Sequence, residues 1–564
     1  MALNDLYTSQ GEMLHGTPWQ TYPRPQLRRN SFLNLNGEWE FTASRTYPVT
    51  FDRRILVPFC PESQLSGIKE HFPEEIGLYY RRSFYLPEGF CKDRVLLHIG
   101  AADQYAKIYL NQKEVGRHTG GYWAFTLDIT DALQEENELV ICCRDDLRNK
   151  VQPYGKQTMT RGGMWYTPVS GLWQTVWLES VPKNYIQSLD IHTTAKDATI
   201  TVTPPLEGKV ILEGKHYPLV KGKAVVTLEN PRLWSPEDPY LYHFTVETDS
   251  DRVESYFALR TLETKLVNGI PRLCLNGKPY FFHGLLDQGY WPDGIYTPAA
   301  PECYADDILA MKKLGFNTLR KHIKIEPEQF YYDCDRLGMI VFQDMVNNGD
   351  YSFLRDTILP TVLSEKRSDK NLHKDAATRA AFLSGMEQTV AQLKNHPSIV
   401  YWTIFNEGWG QFCSTEAYRR LKVLDNSRFI DATSGWFRCG ETDVESLHIY
   451  FNLWYKLQYT DKPLVLSEFG GYIYPESGHI FNPKRTFGYK ICRKRETFQK
   501  ALAELYRNRI LPAVPKGLCG AIYTQVSDVE DEINGLLTYD RKVCKADTIA
   551  MQEIAEALRK AISE

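Results

Sequence analysis

Two stretches of this chain place carboxylates where a packed strand has least use for them. In Ile399-Val400-Tyr401-Trp402-Thr403-Ile404-Phe405-Asn406-Glu407-Gly408-Trp409 an apolar run ends in an amide and a carboxylate side by side. In Pro463-Leu464-Val465-Leu466-Ser467-Glu468-Phe469-Gly470-Gly471 a second run ends in another glutamate. Burying an ionised Glu costs several kcal/mol unless it is paired or its pKa shifts, so a carboxylate at such a strand end belongs in a cleft. Two of them facing each other suit the cleavage of a glycosidic bond. Retention requires one as nucleophile and the other as acid, then base, with the groups roughly 5–5.5 Å apart, whereas an inverting pair stands wider. Asn406 is placed to hydrogen-bond a sugar 2-hydroxyl, a contact that strengthens in an oxocarbenium-like transition state. His322, His448 and Asp344 leave a metal-dependent hydrolase open, and spacing alone does not separate an enzyme from a sugar-binding protein without turnover.

The elements that must hold these residues alternate strand and helix from about residue 263. Apolar strands are expected at Pro279 to His283, Asn317 to Arg320, Met339 to Asp344, the stretch ending at Asn406, Phe429 to Ala432, Val444 to His448, Leu464 to Glu468 and Leu518 to Gln525. Helices fit near Ala305 to Leu314, Glu326 to Leu337 and Ala376 to Lys394, with Pro327 in a first turn and Gly315 and Gly338 as stops. Eight strands in about 300 residues match a (β/α)₈ barrel, whose active site lies at the C-terminal strand ends. The polar residues at those ends are Asp287, Gln288, Arg320, His322, Asp344, Asn406, Glu407, His448, Tyr450, Glu468 and Gln525. Two long connections, 346 to about 375 and 470 to about 495, leave the same face carrying Tyr351, Phe353, Tyr472 and Tyr474, as walls of a deep pocket would.

Upstream the rhythm is that of antiparallel sheet. Short alternating runs broken by turn residues fill the chain up to residue 181 and predict a β jelly roll over 1–181. A second all-β block over 182–262 has the size of an immunoglobulin-like sandwich, which leaves 263–564 for the barrel. One segment fits neither pattern: the Gly-rich Gln157 to Pro168, with Trp165 and Tyr166, either reaches another domain's cleft or packs between domains.

The totals exclude several classes. With 66 Lys and Arg against 70 Asp and Glu, and no basic run, nucleic-acid binding has no electrostatic support. Neither a secretory leader pattern nor an apolar run of membrane-spanning length is present, so a cytoplasmic protein is expected. Twelve cysteines without a C-x-x-C pair read as reduced and mostly buried thiols rather than a zinc site.

Phe405-Asn406-Glu407-Gly408 and Ser467-Glu468-Phe469-Gly470, behind a jelly-roll block and an immunoglobulin-like block, closely resemble glycoside hydrolase family 2, which includes β-galactosidases, β-glucuronidases and β-mannosidases. The likeness runs from Asn34-Leu35-Asn36-Gly37-Glu38-Trp39 through Gly120-Gly121-Tyr122 to Gly535-Leu536-Leu537-Thr538-Tyr539-Asp540-Arg541. It implies a retaining double displacement with Glu407 as acid/base and Glu468 as nucleophile. Tyr450 resembles the tyrosine that holds the nucleophile and His322 the histidine after strand 2, while Arg320 and His448 stand as supporting residues by their strand-end positions. No cofactor is needed for this chemistry and no metal ligand is assigned, the partner is a glycoside substrate, and a rim cation such as some relatives have and a homo-oligomer are left open.

The chain departs from the family in two places. Many relatives carry His-Glu after strand 1, where this chain reads Gly284-Leu285-Leu286-Asp287-Gln288-Gly289-Tyr290-Trp291; Asp287 and Trp291 are therefore candidate sugar contacts on their own account. Where the glucuronidase branch has Asn-any-Lys after strand 8, this chain has the acidic Asp528-Val529-Glu530-Asp531-Glu532-Ile533-Asn534-Gly535. Asn482-Pro483-Lys484 has those letters in the strand 7 loop. The expected substrate is a terminal neutral β-hexoside, galactoside first, with a uronide as the alternative.

Overall fold

The computed structural model describes residues 3–359, 368–450, 454, 457 and 459–564; residues 360–367, within the first long connection, lie outside them. The N-terminal part is a sandwich. A four-stranded sheet (33–34, 94–99, 125–128 and 176–181) faces a six-stranded one (37–44, 53–57, 77–84, 105–110, 113–119 and 137–144). Alternation decides which side chains meet between them: Phe41, Tyr80, Ile108 and Ile141 from one sheet and Leu97, Ile99, Val176 and Leu178 from the other form one buried cluster. A smaller sandwich follows, with sheets of three strands (188–193, 197–203 and 223–227) and four (208–212, 215–219, 242–248 and 252–257) closed over Val202, Val210, Phe244 and Val246.

The C-terminal part is an eight-stranded parallel barrel, nearly closed. Its strands are β1 (Phe282–Asp287), β2 (Thr318–Lys321), β3 (Ile340–Asp344), β4 (Ile399–Asn406), β5 (Phe429–Ser434), β6 (Glu445–Ile449), β7 (Leu464–Gly470) and β8 (Leu518–Thr524). Each pairs with its neighbour in chain order and β8 pairs back with β1, leaving the β5–β6 seam outside the ladder. Hydroxyls bridge that seam: Ser434 Oγ lies 2.8 Å from Ser467 Oγ, and Ser446 Oγ 2.6 Å from the same atom. β1 begins three residues later than Pro279, because Lys278–Pro279 belongs to a small antiparallel sheet with Leu262–Val267 and Ile270–Leu275. Helices Glu302–Lys313, Glu328–Leu337 and Ala376–Leu393 pack outside, the last capped by the Asp375 carboxylate, which accepts from the Thr378 N–H.

Buried charge joins the first two units. Arg29 donates through Nε and Nη2 to Asp251 (3.0 and 2.7 Å) and through Nη1 to Glu179 (3.1 Å), and all three side chains are almost fully buried. Glu179 sits on the last strand of the first sandwich and Asp251 in a turn of the second. Burial opposes the Glu179 charge, but Arg24, His98 and Arg29 outweigh it and hold its pKa far below the usual carboxylate range. Removing one partner of such a cluster leaves uncompensated buried charge, at a cost of roughly 3–5 kcal/mol. Arg29→Met is therefore expected to lower the midpoint of the earliest unfolding transition in a chemical denaturation series. A midpoint equal to that of the parent protein would show that this cluster does not hold the two sandwiches together.

Candidate active site

At the C-terminal mouth of the barrel one buried guanidinium gathers side chains from four other strands. Arg320, on β2 and without solvent exposure, donates through Nε to Asp344 Oδ1 at the end of β3 (3.0 Å), with Nη2 2.9 Å from Asp344 Oδ2. Nη2 also donates to Asn406 Oδ1 at the end of β4 (2.8 Å), and Nη1 to Glu468 Oε1 on β7 (3.0 Å) and to the Ser467 carbonyl (3.0 Å). His448 Nε2, on β6, lies 3.2 Å from Nη1. Burial works against the Arg320 charge, yet Asp344 and Glu468 beside it raise its pKa further. The same contacts act on the acids. Burial favours neutral Glu468, but His448, Arg320, His322 and the Tyr450 hydroxyl outweigh it and bring its carboxyl down to about 2.

Tyr450 donates to Glu468 Oε2 at 2.6 Å and lies 2.9 Å from Thr524 Oγ1 at the end of β8. Burial, with Glu468 alongside, pushes its phenol well up, so it remains a donor. Glu468 is thus fixed on both oxygens. His322 Nδ1 lies 2.6 Å from Asp344 Oδ2; burial pulls its imidazole pKa down more than Asp344 lifts it.

Glu407 arrives differently. It follows the last residue of β4 with φ +54°, a left-handed conformation that costs a non-glycine residue about 1 kcal/mol or more. Its N–H donates to the Ser434 carbonyl (2.8 Å), and His448 Nδ1 lies 2.7 Å from its Oε1. Gly435 makes this packing feasible: a Cβ there would meet His448 Nδ1 at 2.9 Å and Glu407 Cγ at 3.1 Å, with a φ of +95° besides. His448 spans the two glutamates, with Nδ1 on Glu407 and Nε2 3.6 Å from Glu468 Oε1. One atom each of Glu407, His448 and Glu468 lie within 4.8 Å of one another. Three such atoms can ligate a metal, but His448 already engages Glu407 and Ser434, and the Arg320 charge sits against Glu468. The trio is built as a hydrogen-bonded pair of acids.

Seven residues singled out in the sequence therefore converge: Arg320, His322, Asn406, Glu407, His448, Tyr450 and Glu468. Asp287 and Trp291 do not join them. The β1–β2 register sets Asp287 opposite Lys321, whose ammonium takes its carboxylate at 2.6 Å, and the Gly289 N–H takes the other oxygen. Trp291 is buried, with the Arg541 guanidinium 4.1 Å from its ring centroid and the Tyr304 ring at 6.0 Å. A ring so covered offers no platform to a sugar. Tyr472 and Tyr474 also face elsewhere, against Lys490 and Phe498.

The aromatic wall comes instead from Trp436, 5.8 Å from the His448 ring, from Tyr489, stacked 4.0 Å from Tyr450, and from Trp165. Trp165 lies in the Gly-rich segment of the first sandwich, and its ring centroid is 5.1 Å from that of Trp409 and 5.3 Å from that of Tyr351. The same segment ties down the acidic loop after β8. Arg161 pairs with Asp531 (2.8 Å), the Thr167 N–H donates to Glu530 (3.0 Å), and the Tyr166 hydroxyl donates to Glu532. Of the two readings of 157–168, the structure shows the one that reaches the barrel mouth.

The depressed Glu468 pKa has a stability consequence with a definite sign. A carboxyl whose pKa falls from 4.5 to about 2 on folding contributes stability above about pH 4.5 and loses it as pH drops towards 2. The melting temperature of the parent protein relative to Glu468→Gln is therefore expected to fall between pH 5 and pH 3, as read by differential scanning calorimetry. A pH-independent difference would mean that Glu468 titrates normally.

Comparison with known proteins places this geometry. The model for "Glycosyl hydrolases family 2, TIM barrel domain" matches residues 271–558, with further matches to "Glycosyl hydrolases family 2" at 179–260 and to "Glycosyl hydrolase 2 galactose-binding domain-like" at 72–165. The β-galactosidase of Thermoanaerobacter pseudethanolicus is 25% identical over 79% of this chain, and the chain spans 62% of that protein's length. The β-glucuronidase of Felis catus is 25% identical over 86% of this chain and 80% of its own. The β-D-glucuronidase structure from Dictyoglomus thermophilum superposes with a TM-score of 0.74 at 20% identity, covering 96% of this chain and 98% of that one. With a family model matching more than half of its length, the chain belongs to glycoside hydrolase family 2.

Proposed function

We propose that this chain is a retaining, exo-acting β-glycosidase in which Glu468 is the nucleophile and Glu407 the acid/base. One observation carries the reading: carboxylate oxygens of the two glutamates lie within 4.8 Å of each other, on the scale of a retaining pair and short of the roughly 6.5–9.5 Å that an inverting pair needs. The electrostatics supports the same division of labour. Glu468, held ionised by His448, Arg320 and Tyr450, is suited to attack, and Glu407, beside His448, is the more exposed of the two.

In the first step a Glu468 oxygen bonds to the anomeric carbon as the bond to the leaving oxygen breaks, and Glu407 delivers its proton to that oxygen. In the second, Glu407 takes a proton from water, whose oxygen displaces Glu468 and releases the sugar with its original configuration. Asn406, with its carbonyl oxygen fixed by Arg320, keeps an amide N–H for the 2-hydroxyl.

The glycon is a terminal β-hexoside. A neutral sugar, galactoside first, is supported by the acidic run Asp528, Glu530, Asp531 and Glu532 after β8, whose charge opposes a uronate. A uronide is supported by the curated β-glucuronidase relative and by the way Arg161, Thr167 and Tyr166 engage the acids of the β8 loop, which reduces the repulsion expected from their charge.

Glu407→Gln is expected to lower kcat on nitrophenyl β-glycosides by roughly 10²–10⁴-fold, and Glu468→Gln to abolish turnover. In Glu468→Gly, azide should restore turnover and yield the inverted glycosyl azide. Equal rates for the parent protein and both Gln variants across β-galactoside, glucoside, mannoside and glucuronide would refute the assignment. Sugar binding without turnover would identify a retired, lectin-like site.

A further inference from the structure

One cation at the barrel mouth stands apart from the acids around it. Lys156, from the first sandwich, is 92% buried by its 8% relative exposure, yet its ammonium makes no hydrogen bond or ion pair with any described residue. The stem is packed while Nζ keeps solvent access, so the ammonium is presented to the space at the barrel mouth rather than sealed in the packing. The other lysines buried at this face are paired. Lys321 is held by Asp287 and Glu326, Lys324 by Glu326 and two carbonyls, and Lys545 by Asp528.

Where Lys156 sits is set by its own backbone. The Tyr154 and Gly155 N–H groups both donate to the Asn347 carbonyl beyond β3, and the Lys156 carbonyl accepts from the Tyr166 N–H. Gly155 has φ +59°, and a Cβ there would come within 2.8 Å of the Ile323 carbonyl beyond β2, so the turn presses directly on the barrel rim. The side chain then runs towards Trp165, with Nζ 5.6 Å from the ring centroid. Its charge is felt on two sides of the site: it helps to lower the His322 pKa and opposes the rise that burial imposes on Glu532. Lys156 is thus bracketed by the ends of β2 and β8, beside the wall formed by Trp165, Trp409 and Tyr351.

We infer that Lys156 is a specificity-determining residue that receives the carboxylate of a hexuronide glycon. This rests on the glycosidase reading above and deepens it by naming the glycon class. A compact, accessible ammonium whose donors no described residue takes is suited to an anionic group, and a substrate carboxylate would supply a counter-charge. The Asn482-Pro483-Lys484 segment does not compete for that role: Asn482 donates to Asp531 and Lys484 is exposed. The residue doing the selecting comes from a different domain than the two glutamates.

The test compares parent protein, Lys156→Met and Lys156→Arg on nitrophenyl β-D-glucuronide, β-D-galacturonide and β-D-galactoside. The expected result is uronide turnover by the parent protein and a fall of roughly 100-fold in the uronide-to-galactoside ratio of kcat/KM for Lys156→Met, carried mainly by KM and partly recovered in Lys156→Arg. An unchanged ratio overturns the inference, as does a parent protein that hydrolyses galactoside but no uronide. Calorimetry on Glu468→Gln separates this from failure of the glycosidase reading. If D-glucuronate binds more tightly than D-glucose, and that preference disappears in the double variant with Lys156→Met, the Lys156 assignment stands whatever the turnover. If there is no preference, or one that survives the second substitution, it falls.

Discussion

The site depends on a single buried guanidinium. Arg320 carries its charge with no solvent exposure, which is tolerable only because its donors are taken up by Asp344, Asn406, Glu468, the Ser467 carbonyl and the neighbouring His448 nitrogen. Those partners end different strands, so satisfying one side chain fixes the relative positions of β3, β4, β6 and β7 at the barrel mouth. Lysine could not substitute. Its point charge lacks the planar fork that holds Asp344 by two nitrogens while reaching Asn406 and Glu468.

From this constraint follows the division between the two glutamates. Glu468 lies where Arg320 and Tyr450 each take one oxygen, so its orientation and ionisation are settled by the fold. Glu407 is held by His448 and reaches its place by a strained left-handed turn at the end of β4. Strain at that residue persists because the Ser434 carbonyl, Gly435 and His448 surround it. A rigid carboxylate and a less constrained one are what a nucleophile and a proton carrier respectively require.

Much of this was legible in the chain because an apolar strand that ends in a polar residue is a local signal. Asn406, Glu407, Glu468, Arg320 and His448 could all be read off strand ends, and the barrel off the alternation that carries them. Asp287 and Trp291 obey the same rule and yet lie elsewhere. Which way a strand-end side chain turns is decided by the neighbouring strand, and the β1–β2 register offered Asp287 the ammonium of Lys321. Trp291 is covered by Arg541, a residue far along the chain. Such outcomes depend on pairings that no local window contains.

The acidic run after β8 shows the same limit for charge. Counted in sequence, Asp528, Glu530, Asp531 and Glu532 argue against an anionic sugar. In the fold Lys545 takes Asp528, Arg161 takes Asp531, the Thr167 N–H takes Glu530 and the Tyr166 hydroxyl takes Glu532. Three of those four partners arrive from the first sandwich, and with them comes Lys156, whose ammonium pairs with none of these acids among the described residues. The charge presented to a substrate is therefore a property of the contact between two domains. It follows that the first sandwich does more than support the barrel: by delivering residues 156–167 to the strand ends, it sets the polarity around a pair of glutamates that it does not contain.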